Sequence, residues 1–265
     1  MAGGFLLAVI GRFLPRRLAE RIACVSILGS LLMAILAFAA AGEKKYLLTL
    51  FNWIVVGDFS ASMSVYYDPL AAVMAVMVTF ISSLIHLYSV SFMRDDRDYV
   101  RYFSYMNLFV FSMLVITLAD NLVFLYLGWE GVGFCSYILI GFWYSDIVNA
   151  TAGRKAFILT RIGDVAFGIA IALFFLIFGQ LSIFSINSST SSLSGGMGTL
   201  LALLLFWGAV GKSAQLPLVV WLPDAMAGPS PVSALIHAAT MVTAGAYLLM
   251  RLFPIIALSP VAMIT

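Results

Sequence analysis

The stretch Thr199-Leu200-Leu201-Ala202-Leu203-Leu204-Leu205-Phe206-Trp207-Gly208-Ala209-Val210-Gly211-Lys212-Ser213-Ala214-Gln215-Leu216-Pro217 decides how this chain must fold. A bilayer crossing takes about 20 apolar residues, and this run supplies nearly all of them. Yet Lys212 lies too far from either end of the span to reach water easily, and a charge at the centre of a membrane helix costs roughly 2.5–3.5 kcal/mol. Pro217 deprives the carbonyl of Ser213 of its helical donor, and Pro223 stops the helix soon after. Inside a bilayer, freed backbone groups are tolerated only when buried in protein or beside water. The stretch therefore predicts a discontinuous helix over about 199–221, with a buried cation at its break. Transporters commonly build ion sites in this way.

The composition agrees. The 265 residues are 63% hydrophobic and 10% charged, against about 25% charged in soluble domains. The net charge of +2 points to no nucleic-acid partner. Cys24 and Cys135 fall in apolar runs, where a packed thiol is the default. No spacing of Cys and His suits zinc or an iron–sulfur cluster, and nothing beyond the presence of His86 and His237 supports axial haem ligation.

Apolar runs predict spans at roughly 22–41, 67–91, 101–119, 121–143, 154–178, 199–221 and 231–253, with half a span at 1–11 read as a partial first helix. The fold class is thus an all-α polytopic membrane protein. Arg12, Arg16, Arg17, Arg21, Arg94, Arg97, Arg101, Arg154 and Lys155 fall on one side of this topology. By the positive-inside rule that side is the cytoplasm or its equivalent. On the opposite side, 42–66 alternates apolar and polar residues, with Phe59, Ala61, Met63 and Val65 on one face, and predicts an outer-surface β-hairpin. Residues 180–198, rich in Ser and Gly, read as a surface loop. Asp68-Pro69 and Ser230-Pro231 read as capped helix starts.

Four ionisable residues fall within the spans: Glu130, Asp164, Lys212 and His237. Intramembrane ionisable residues mark ion paths by default. A mobile Glu130 beside Lys212 would hold the lysine proton and release it on withdrawal, making the pair a proton switch. Asp164 and Arg161 share a helix face, where they could form a structural ion pair or set the field around the switch. His237 fits a proton relay, while His86 reads as structural. The phosphate-loop reading of Gly211-Lys212-Ser213 fails for want of the upstream glycines and a strand. No nucleophile–base pair or cofactor motif points to a soluble-substrate enzyme.

These residues carry a resemblance. Leu127–Trp143, with Gly128-Trp129-Glu130-Gly131-Val132-Gly133 inside it, Arg161-Ile162-Gly163-Asp164, Gly211–Pro217 and Trp221–Gly245 are similar to the antiporter-like subunits of respiratory complex I, chain L type. Relatives of that family include the large chain of Mrp sodium/proton antiporters and membrane subunits of hydrogenases. The resemblance implies a proton-translocating subunit of an NADH:quinone oxidoreductase with no cofactor of its own. NADH, FMN, iron–sulfur clusters and quinone would then belong to other subunits. It implies proton-translocation roles for Glu130, Lys212, His237 and Asp164, no metal, and as partners the lipid bilayer and neighbouring membrane subunits in a bacterial inner membrane. It divides the chain into N-terminal helices with the hairpin (1–100), a first five-helix repeat forming one half-channel (101–253), and the start of a further helix (254–265). The family continues into a second repeat, so the chain is expected to be an N-terminal part. Three alternatives stand beside this reading: an Mrp-type antiporter chain, a hydrogenase membrane subunit, and a structural membrane subunit without transport of its own.

Overall fold

The computed structural model describes residue 7 and residues 15–42, 44–57, 59–190 and 193–264. The expected half-span at 1–11 lies, apart from Leu7, outside the described residues. The elements in order are α1 (Arg16–Ala41), β1 (Tyr46–Val56), β2 (Phe59–Tyr67), α2 (Pro69–Phe92), α3 (Tyr99–Leu118), α4 (Leu122–Ile140), α5 (Ile147–Phe178), α6 (Ile183–Ser188), α7 (Gly195–Lys212), two short 3-10 turns (Leu218–Trp221 and Asp224–Ala227), α8 (Ser230–Ala238), α9 (Met241–Arg251), α10 (Phe253–Ile256) and α11 (Pro260–Ile264). Counting α8 and α9 as one crossing, seven segments among the described residues are long and apolar enough to span a membrane. The protein is a multi-span integral membrane protein of the expected helical class.

Helix starts follow local capping chemistry. Asp68 Oδ1 accepts from Ala71 N at 2.9 Å with Pro69 at the first helical position. Asn121 and Asp146 cap α4 and α5 in the same manner. The predicted Ser230 cap is not formed, because Ser230 is itself the first residue of α8 and Pro229 precedes it. α3 packs along α4, α5 along α7, and α1 along α2. Trp129, Trp221, Tyr102, Phe103 and Phe167 fill the interior. Val25, Leu32, Met33, Leu36 and Phe38 of α1 stay exposed, as hydrocarbon surroundings allow.

The hairpin is present, pairing Tyr46↔Tyr67 through Val56↔Phe59 antiparallel, with irregularities at Leu50 and Trp53 of β1. Its predicted alternation holds only at the start. Ala61 is buried, but beyond it Ser64 and Tyr66 turn inward instead of Met63 and Val65. The cause is a backbone contact: Asp120 N donates to Ser64 O at 3.0 Å, and Val65 bridges Ala119, so the second half of β2 docks on the corner between α3 and α4.

Two further expectations change. Residues 180–198 are more than a loop, since Ser182 caps the short helix α6, whose Ile183 and Ile186 are buried. Leu122 N donates to Leu181 O (2.9 Å) and Ile183 N to Asp120 O (2.6 Å), stitching this segment to the start of α4. The last span is also broken, at Ala239 and Thr240. Thr240 Oγ1 donates to Leu235 O at 2.8 Å and Thr243 Oγ1 to Thr240 O at 2.9 Å, so hydroxyls take over part of the bonding of the interrupted ladder.

Candidate functional site

The site forms where α4, α5 and the end of α7 meet. α5 and α7 approach through glycine: a Cβ on Gly211 would lie 3.0 Å from the Cα of Gly163 and 3.2 Å from Thr160 O. That close approach carries Lys212, the last residue of α7, against Asp164, midway along α5. Lys212 Nζ lies 3.1 Å from Asp164 Oδ2, and both side chains are essentially inaccessible, at 0% and 1% exposed. The other carboxylate oxygen, Oδ1, accepts from Trp129 Nε1 at 2.6 Å. The indole ring also faces the ammonium, 5.8 Å from its centroid. A buried ion pair is tolerable only when further hydrogen bonds satisfy its charges, and Trp129 supplies one.

Below Lys212 the helix ends as the sequence predicts. Ser213 to Pro217 leave the helical path, and Ala214 adopts a positive φ of 50°. The carbonyl of Gly211 is recovered by Trp221 Nε1 at 3.1 Å, and Ser213 Oγ donates to Val242 O at 2.7 Å. The second bond ties the break after α7 to the first turn of α9, just past the break at Ala239–Thr240. Two interrupted helices therefore meet beside the ion pair.

The pairing differs from both pairs considered from sequence. Glu130 does not hold Lys212 here. Its Oε2 lies 2.5 Å from Arg161 Nη1, an ion-pair contact that lacks hydrogen-bond geometry. Arg161 therefore pairs across to α4, not with Asp164 three residues on, and its guanidinium lies 4.8 Å from the ring centroid of Phe157. Glu130 follows Trp129 directly and so projects about 100° further round α4, which separates it from the ammonium. His237 occupies the last turn of α8 before the second break. Its Nε2 is buried without a hydrogen-bond partner among the described residues. The structure thus brings Asp164 and Lys212 together, sets Glu130 with Arg161 on the adjoining face, and leaves His237 at the neighbouring break. Trp129 was visible in the quoted motif, but nothing in an indole's sequence context marks it as a carboxylate donor. Among the described residues no group of three or more His, Cys, Asp or Glu is placed to hold a metal.

A family model described as "NADH:quinone oxidoreductase/Mrp antiporter, TM" matches residues 119–265, more than half of the chain. The chain belongs to this antiporter-like membrane family. A second model, "NADH-Ubiquinone oxidoreductase (complex I), chain 5 N-terminus", matches residues 53–103. NADH-quinone oxidoreductase subunit L of Escherichia coli (strain K12) is 45% identical over 267 residues, covering 97% of this chain and 43% of the relative. Subunit L of Pseudomonas aeruginosa is 51% identical, covering 81% and 35%. NADH-ubiquinone oxidoreductase chain 5 of Chondrus crispus is 42% identical, covering 98% and 41%. The chain thus spans about two fifths of the length of such relatives. Among solved structures, that of the Mrp complex from Dietzia sp. DQ12-45-1b superposes with a TM-score of 0.84 at 29% identity, over 95% of this chain and 27% of the other.

Proposed function

We propose that this chain is a proton-translocating, antiporter-like membrane subunit of a redox-driven NADH:quinone oxidoreductase, with Asp164, Lys212, Glu130 and His237 carrying the proton. Electron transfer, with NADH, FMN, iron–sulfur clusters and quinone, belongs to partner subunits. The bacterial subunit L relatives favour a bacterial inner membrane, and the arginine-rich end faces the cytoplasm. Residues 101–253 act as the first five-helix repeat and supply one half-channel. The observation that carries the reading is the fully buried Lys212–Asp164 pair at the break of α7. An ammonium so placed is retained where charge must be held inside the membrane.

In this reading Lys212 keeps its proton while Asp164 faces it. Glu130, presently held by Arg161, is the second partner: release from Arg161 lets it swing toward Lys212, raising the lysine's hold on the proton, and recapture lowers it. His237, at the neighbouring helix break, takes the proton onward. Lys212→Ala in the assembled complex is expected to lower protons pumped per electron transferred, measured by pH-dye uptake in sealed vesicles alongside NADH oxidation. Undiminished pumping per electron sinks the assigned role.

The likeness to the Mrp complex structure supports a second reading, a sodium/proton antiporter chain with the same residues. Sodium-dependent proton movement in vesicles lacking any electron donor favours that reading; its absence favours the first. A structural subunit without transport would show neither.

A further inference from the structure

The inward face of α2 takes no part in the site above. Thr79, Ser82, Ser83, His86 and Ser89 follow helical spacing along one side of it, all between 0% and 2% exposed. They form a polar seam about 15 Å long at 1.5 Å per residue. Thr79 Oγ1, Ser83 Oγ and Ser89 Oγ each donate 2.7 Å to the carbonyl one turn back. Such back-bonding suits a merely small-residue interface. It does not account for two other atoms: Ser82 Oγ and His86 Nε2 are buried with no hydrogen-bond partner among the described residues. His86 Nδ1 lies 2.8 Å from Ser82 O. A carbonyl only accepts, so Nδ1 carries the proton and Nε2 presents a bare lone pair. Buried polar atoms are almost always satisfied, and water is the smallest ligand that does so.

The seam ends one residue from the lining of a cleft. Ser89 Oγ meets Tyr102 OH at 3.0 Å near the arginine-rich end of α2. In that same turn, Val90 and Ser91 line a cleft of about 620 Å³ between α1 and α2 that also contains Glu20 and Tyr99. Tyr99 OH donates to Glu20 Oε2 at 2.9 Å, placing a carboxylate where it can gather protons. We propose that this face of α2 is a second hydrated, proton-exchanging site, separate from the Asp164–Lys212 pair, that opens at the Glu20–Tyr99 cleft and uses His86 Nε2 as its accepting atom. Water delivers a proton to Nε2 and takes one back; no other bond changes.

The chain has only two histidines, so 15N-histidine labelling of the full chain in bilayers gives two sets of imidazole signals, and His237→Asn assigns them. Magnetisation transfer from water to His86 Nε2, with loss of its imidazole proton signal soon after transfer to D2O, is the expected result. An imidazole that shows no water contact and keeps its proton for hours overturns the proposal. A second measurement uses cysteine reactivity in a Cys24→Ala, Cys135→Ala background with a small cationic thiol reagent added at the arginine-rich side. Ser82→Cys should react about tenfold faster or more than Leu84→Cys on the exposed face of α2, since only a thiol in contact with water forms thiolate. Equal rates overturn the proposal.

Discussion

At the residue scale, Trp129 settles which carboxylate serves Lys212. Its indole N–H fixes one oxygen of Asp164, leaving the other directed at the ammonium. Removing one partner of a buried pair strands the other charge, at a cost of about 3–5 kcal/mol. Lys212→Met alone should therefore destabilise the fold by about that much, while Asp164→Asn with Lys212→Met should recover much of the loss. Reversible unfolding of the two variants and the parent in mixed micelles measures the difference. A double variant no more stable than Lys212→Met alone would show that the two side chains do not act as a pair. Trp129→Phe keeps the ring and loses the donor, and should cost about 1–3 kcal/mol because the second carboxylate oxygen is then unsatisfied. The sequence made both members of the pair visible, since ionisable residues stand out in apolar runs. Their pairing was not legible. It depends on which helix faces close together and on where each side chain points around its helix, and a linear spacing carries neither.

At the element scale, the glycine contact between α5 and α7 governs the site's geometry. Gly211→Ala would place a methyl 3.0 Å from the Cα of Gly163, so one backbone must shift. Overpacking of this kind typically costs about 1–3 kcal/mol, and the displacement should also part Lys212 from Asp164. The expected outcome is a stability loss together with reduced pumping, whereas Gly196→Ala, with nothing within 4 Å, should leave both unchanged. The break after α7 was legible because proline announces it. The break at Ala239–Thr240 was not, since neither proline nor glycine lies there, and only Thr240 and Thr243 mark it by the bonds they make. The hairpin was legible from its alternation as far as Ala61. Beyond that point docking on α3 and α4 overrode the local pattern, which no strand sequence records.

At the scale of the whole molecule, the hairpin end is clasped by Arg251. Its Nη1 lies 2.8 Å from Asp68 Oδ2, and it donates through Nε to Tyr247 OH at 3.0 Å. Tyr247 OH in turn donates to Thr117 O at 2.5 Å, while Arg251 O accepts from Asn187 Nδ2 at 3.0 Å. One arginine thus joins the first turn of α2, the end of α3, the α6 segment and α9. It is the last residue of α9, yet only 4% exposed. Arg251→Leu should destabilise the fold by about 3–5 kcal/mol. It should also speed amide hydrogen exchange in β2 and α6 while leaving the arginine-rich ends of α4 and α5 protected, as read by mass spectrometry. Uniform exchange throughout would argue against a local clasp.

The two ends of that clasp are 183 residues apart. At synthesis rates of about 5–20 residues per second, Asp68 enters the nascent membrane domain roughly 10–40 s before Arg251 exists. During that interval the carboxylate lacks the guanidinium that neutralises it, and only its cap on α2 and water can hold it. Closure of the hairpin end must therefore wait until the segments from α2 to α8 have been made. Nascent chains halted before residue 251 should show an open, protease-sensitive hairpin.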